Sequence, residues 1–151
     1  MERFKGIEKT LLPGIGKTAK LLTYFFNETF IKNDIHLSKE QFLVLKKLYE
    51  SDGQTQNDLA YITDRSKTSL TRLINTIEKK ELVYRIISKE DKRINHIYLT
   101  PLGRATLVES IPIVANILDE LLLDIPQKDI DKALEVLNQI QLNMSKKINI
   151  N

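Results

Sequence analysis

The chain has 151 residues, no cysteine and a formal net charge of +3 at neutral pH. The missing cysteine excludes disulfides, thiolate metal sites and a peroxide-sensing thiol, and suits a reducing cytosol. One domain burying roughly 70% of its unfolded surface is expected at this length, and a cytoplasmic one: the charged start MERFKGIEKT does not read as a signal peptide, and no apolar run approaches the ~20 residues of a membrane span.

Charge is unevenly spread. Residues 53–104 carry ten basic and six acidic side chains, and residues 105–151 carry four and seven. A basic middle followed by an acidic end points to an anionic partner met by the middle third. A membrane surface fits less well, because these basic residues do not lie on a Trp- or Phe-rich amphipathic helix.

Near the start, Pro13, Gly14 and Gly16 interrupt or begin a first helix. The string GIGKT is not a phosphate-binding loop, which needs a glycine five residues before its Gly-Lys pair, where Leu11 stands. The next helix is better signalled. In LSKEQFLVLKKLYES, Ser38 and Gln41 have the spacing of a capping box, and Leu37 and Phe42 that of a hydrophobic staple. Phe42, Leu45, Leu48 and Tyr49 form an inward stripe that ends at SDG, near residue 50. TQNDLAYIT then reads as a short helix with Thr55 as N-cap, Asp58 in its first turn, and Leu59 and Ile62 inward.

A few residues later, Ser66 caps a third helix, KTSLTRLINTIEKKEL. Leu70, Leu73, Ile74 and Ile77 share an arc about 100° wide and must face a core. Thr68, Arg72, Asn75 and Lys79 point the other way, flanked by Lys67 and Thr71. Two helices joined by a short turn, the second showing Lys, Thr and Arg near its start, have the layout of a helix-turn-helix. Asp64 stands where that turn needs a left-handed backbone, which Asp tolerates better than most residues. Arg can bond a guanine edge with two N–H groups, Thr can donate, accept or touch a thymine methyl, and Lys can reach guanine or phosphate.

VYRIIS and INHIYLT, rich in β-branched and aromatic residues, read as a β-hairpin around the tip KEDKR, with Ile97 and Leu99 inward and Tyr98 between them. Thr100 and Pro101 then open another helix, which Pro112 should kink by removing the bond to the carbonyl of Val108. Leu107, Ile111, Val114, Ile117, Leu118, Leu121 and Leu122, with Ile130, Leu134, Leu137 and Ile140, offer more apolar surface than a small winged helix can cover. A helical partner is expected. No enzyme is indicated: His36 and His96 lack metal-ligand spacing, and Glu90 and Asp91 lie on a charged tip with no apolar pocket to raise a pKa.

Taken in order, LSKEQFLVLKKL, GQTQNDLA, SKTSLTRLINTIEKKELV and DKRINHIYLTPLG resemble the MarR family of bacterial transcriptional regulators over roughly residues 20–145. The resemblance implies a mainly α fold with a small β-hairpin wing. A winged helix-turn-helix would occupy about 37–103, and dimerisation helices about 1–33 and 104–148, within a single domain 1–151. It implies a homodimer on a roughly palindromic double-stranded DNA site, acting as a repressor relieved by a small-molecule effector, with no cofactor; the alternative is a winged-helix protein-interaction module. By the same resemblance, Lys67, Thr68, Thr71 and Arg72 are major-groove residues, Arg93 enters the minor groove, and Asp91 orients it. Asn75, Lys89 and Lys92 complete the DNA-binding set, the lysines near phosphates. Three departures stand out, one of them Pro112 inside the helix after the wing. Glu81 replaces the glycine that usually ends the recognition helix, and Arg65 stands where an apolar residue is usual.

Overall fold

Ser38 and Gln41 act as their spacing requires. The Ser38 hydroxyl accepts from the Gln41 backbone N–H at 3.2 Å, and the Gln41 side-chain oxygen accepts from the Ser38 N–H at 3.1 Å, so two donors left open at a helix start are satisfied. The helix that follows, α2 (Lys39–Glu50), is the second of six among the described residues. In this computed structural model those residues are Gly6, 10–63 and 66–148. The others are α1 (Leu11–Lys32), α3 (Gln56–Ile62), α4 (Lys67–Lys79), α5 (Pro101–Leu121) and α6 (Gln127–Ile148). Strands β1 (Gln54–Thr55), β2 (Val83–Ile87) and β3 (Asn95–Leu99) complete the order. Asp64, Arg65 and the side chain of Ile62 lie outside the described residues, and with them the expected left-handed turn and the Arg65 departure.

The chain divides into two compact units, Met1–Ile117 and Leu118–Asn151. The core of the first is built from the stripes read in the sequence. Leu45, Leu48, Leu59, Leu70, Ile74, Ile77 and Ile97 are fully buried, each contributing about 1.5–3 kcal/mol of hydrophobic stabilisation. Phe30 of α1 joins them, edge-on to Phe26 and Phe42 with ring centroids 6.1 and 5.9 Å apart. Leu73 is half-buried against this core. One member of the expected stripe is displaced: Tyr49 is 45% exposed, and Val44 is buried instead. Tyr49 lies at the edge of the arc and lets the Arg104 guanidinium sit over its ring, 5.0 Å from the centroid.

The hairpin is antiparallel, pairing Val83 with Leu99, Arg85 with Ile97 and Ile87 with Asn95. Ile97 and Leu99 are buried, while Tyr98 lies between them, stacked on Tyr84 of β2. A third strand, not foreseen, pairs on the other side of β3, matching Gln54 with Ile97 and Thr55 with His96. Two residues carry no periodicity of their own, and Thr55 also serves as N-cap of α3, its hydroxyl accepting from the Asp58 N–H at 3.1 Å. Gly53 precedes this strand at φ +73°, and a Cβ there would meet the Tyr98 ring at 2.8 Å.

At the end of α4 the glycine's usual place is filled without it. Glu81 adopts φ +59°, its N–H bonds the Glu78 carbonyl at 2.9 Å, and the Leu82 N–H bonds the Ile77 carbonyl at 3.0 Å, which is the Schellman pattern with glutamate in the left-handed position. Next to it, the Thr100 hydroxyl donates to the Glu81 carbonyl at 2.6 Å and accepts from the Gly103 N–H at 2.9 Å. Helix α5 begins there, packed so closely that a Cβ on Gly103 would fall 1.9 Å from the Leu82 carbonyl oxygen, and it continues through Pro112 as one helix. In the second unit, α6 contains no buried residue among those described: Leu134, Leu142 and Met144 are exposed, and Ile130, Leu137 and Ile140 are half-covered. No described helix is long and apolar enough to cross a membrane.

Candidate nucleic-acid interface

The buried arc of α4 dictates what its other side shows. With Leu70, Ile74 and Ile77 inward, Lys67, Thr68, Arg72 and Asn75 are exposed on one helix. The Ser66 hydroxyl accepts from the Ser69 N–H at 3.2 Å and fixes where this helix starts. Beside the helix runs an open cleft lined by Ser38, Glu40, Thr68, Arg72 and Thr76 among others.

Thr71 is placed differently from the rest of the set. It is half-buried, its hydroxyl donates to the Lys67 carbonyl at 2.8 Å, and the same oxygen accepts from the Gln56 side-chain amide at 2.8 Å. Its methyl and one lone pair remain for a partner. Gln56, at the first position of α3, is thereby joined to the exposed face, a role its neighbours in sequence do not signal. Asn75 is exposed but also bonded: its side-chain oxygen accepts from Arg85 Nη2 at 2.6 Å, while Arg85 Nη1 pairs with Glu78. Arg85 went unremarked in the sequence, although alternation along β2 puts it on the same strand face as the buried Val83.

At the hairpin tip, one carboxylate organises the turn. Asp91 Oδ1 accepts from the Arg93 backbone N–H at 2.9 Å and from Arg93 Nε at 3.1 Å, and Oδ2 accepts from Nη2 at 3.1 Å. The guanidinium is held in two-point fashion with a fixed direction while the Arg93 side chain stays 90% exposed. The Arg93 guanidinium, and then its backbone N–H, hold the Asp91 carboxyl below the usual carboxylate range, against a smaller opposing effect of burial. Lys89 precedes the pair and Lys92 lies between its members, both exposed. Among the described residues Lys67, Arg72, Lys89 and Lys92 form no ion pair. Four unneutralised cations and a directed guanidinium thus stand on one helix and one hairpin tip, chemistry suited to a polyanion with readable edges. His96 is a β3 residue whose Nδ1 lies 3.0 Å from the Gly53 carbonyl oxygen.

Known proteins resemble this chain in sequence and fold. Residues 37–94, covering α2 through the hairpin tip, match the model of the MarR family. The HTH-type transcriptional regulator MhqR of Bacillus subtilis (strain 168) is 26% identical over 107 residues, covering 71% of this chain and 74% of the relative. The uncharacterised regulator YpoP of the same organism is 34% identical over 74 residues, where the alignment covers 49% of this chain and 52% of the relative. Among solved structures, the transcriptional repressor CouR bound to a 23-mer DNA duplex superposes with TM-score 0.75 at 27% identity, covering 91% of this chain and 98% of that one. The S. aureus MepR–DNA complex superposes with TM-score 0.80 at 22% identity, over 89% and 98% of the two chains, a likeness of fold. A winged helix-turn-helix whose exposed helix and tip carry these side chains is thus similar to the MarR family of transcriptional regulators, whose model residues 37–94 match.

Proposed function

We propose that the chain forms a homodimer that binds a roughly two-fold-symmetric duplex site and represses transcription until a small-molecule effector weakens that binding. The observation that carries the DNA reading is the pairing of an α4 face of Lys67, Thr68 and Arg72, with no ion pair among the described residues, and an Arg93 aimed by Asp91. In this reading α4 lies in the major groove, with Arg72 on a guanine edge. Thr71 contributes its methyl, Lys89 and Lys92 approach phosphates, and Arg93 enters a narrow minor groove where negative potential is concentrated. Repression is carried over from CouR, a repressor described on duplex DNA.

Dimerisation is supported by α6, whose apolar stripe of Ile130, Leu134, Leu137 and Ile140 includes no buried residue in the single chain. A helix of 22 residues with such a stripe needs a cover. An effector acts by binding better to the dimer whose recognition helices are wrongly spaced, and DNA affinity then falls by that differential. The test is capture of fragments from the gene's own upstream region at near-physiological salt with competitor DNA, followed by footprinting. Two protected half-sites about 34–36 Å apart are expected; binding that competitor abolishes, with no protected site, overturns the reading.

A further inference from the structure

Asn75 is an exposed member of the candidate set whose hydrogen-bonding polarity is set by a neighbour. Its side-chain oxygen lies 2.6 Å from Arg85 Nη2. A guanidinium has donors only, so the amide must turn its oxygen toward Arg85 and its NH2 group the other way. Arg85 is itself held by Glu78 through Nη1, so the bracket Glu78–Arg85–Asn75 joins β2 to the exposed side of α4. The amide nitrogen makes no hydrogen bond to another described residue, and Asn75 is exposed beside Arg72 on the same helix.

We propose that Arg85 is a positioning residue that fixes Asn75 as a pure hydrogen-bond donor toward DNA, so that Asn75 selects an acceptor, a keto oxygen first, and loses the two-bond reading of adenine. An asparagine free to turn reads adenine with both ends, its oxygen accepting from N6 and its nitrogen donating to N7. Here a cationic donor already lies on that oxygen, and an adenine amino group brought to it would add a second donor beside the guanidinium. The NH2 group instead matches the keto oxygen of guanine or thymine, or a phosphate oxygen; adenine N7 can still accept from it, but adenine keeps one bond and loses the other. The inference rests on the proposed duplex binding.

The test is selection from a randomised duplex library by the native protein, Asn75→Ala and Arg85→Met, with base frequencies and affinities compared position by position. For the native protein, one position in each half-site is expected to favour a keto base over an amino base by about fivefold. Asn75→Ala should level that position alone. Equal weakening on every sequence with Asn75→Ala would assign the acceptor to the phosphate backbone and overturn the proposed base selection. Arg85→Met should admit adenine at the same position, a change that mere loss of bracing would not produce; if this variant fails to fold by circular dichroism, the Asn75→Ala result decides. Loss of an adenine or cytosine preference on Asn75→Ala, or no change in either frequencies or affinity, overturns the proposal. So does an Arg85→Met protein that folds and binds with unaltered base preference. A native protein that enriches no sequence overturns the duplex reading as well, and is told apart by that result alone.

Discussion

Asp91 and Arg93 show how two side chains at a hairpin tip carry testable weight. A carboxylate near DNA repels it, so simple electrostatics expects tighter binding from Asp91→Ala. The three bonds that Asp91 makes to Arg93 give the opposite expectation: Asp91→Ala loosens binding because the guanidinium loses its direction. Arg93→Ala should weaken specific binding and lower the magnitude of the salt slope by about 0.9 per subunit. Titrating both variants against one operator at several salt concentrations checks this, and tighter binding by Asp91→Ala ends the orienting role. The pH dependence has a definite sign. Arg93 lowers the folded-state pKa of Asp91, so the pair is fully formed above the ordinary carboxylate range and is lost only as pH falls through the lowered value. Between about pH 5 and 8 operator affinity should therefore show no step that Asp91→Asn removes. Arg72→Ala should cost about 1–3 kcal/mol per half-site and relax preference at one base position; uniform weakening across sequences would leave Arg72 on phosphate alone.

The elements were legible to different degrees, for physical reasons. Capping boxes at Ser38 and Thr55 and the caps at Ser66 and Thr100 are local chemistry, written within four residues, and each begins its helix where expected. Tyr49 was misplaced because an aromatic at the edge of an arc can be inward by periodicity and still find a cation outside. The third strand, the Gln56–Thr71 bond and the Arg85 bracket join residues that only the tertiary fold brings together, and no local pattern announces them. The α4 terminus gives two predictions of opposite sign. Glu81→Gly should stabilise by about 0.5–1 kcal/mol, because glycine takes the left-handed backbone without the Cβ penalty but pays in unfolded-state entropy. Gly103→Ala should destabilise by about 3 kcal/mol, because the contact it creates is with backbone. Thermal melts of the two variants should move in opposite directions.

For the whole molecule, the prediction concerns assembly. Deleting residues 125–151 removes α6 and with it the uncovered stripe, and the truncated protein should be monomeric or aggregated and lose specific DNA binding, since one half-site contact alone is weak. Light scattering checks the premise directly: a stable, soluble monomer of the intact chain at micromolar concentration would contradict it. The tight seam between Leu82 and Gly103 has a mechanical meaning on the same scale. It clamps the C-terminal end of α4 to the first turn of α5, while buried Leu70 and the Thr71–Gln56 bond hold the other end of this 13-residue rod, the end that carries Lys67 and Thr68. At 1.5 Å per residue that rod is about 20 Å long. A tilt of only ~10° at the clamp sweeps its tip through about 3 Å, close to the ~3.4 Å rise of one base pair. Reading a site of fixed spacing therefore depends on a stiff joint, and the buried packing of Leu70 and Ile74 resists the rotation that would slip the register.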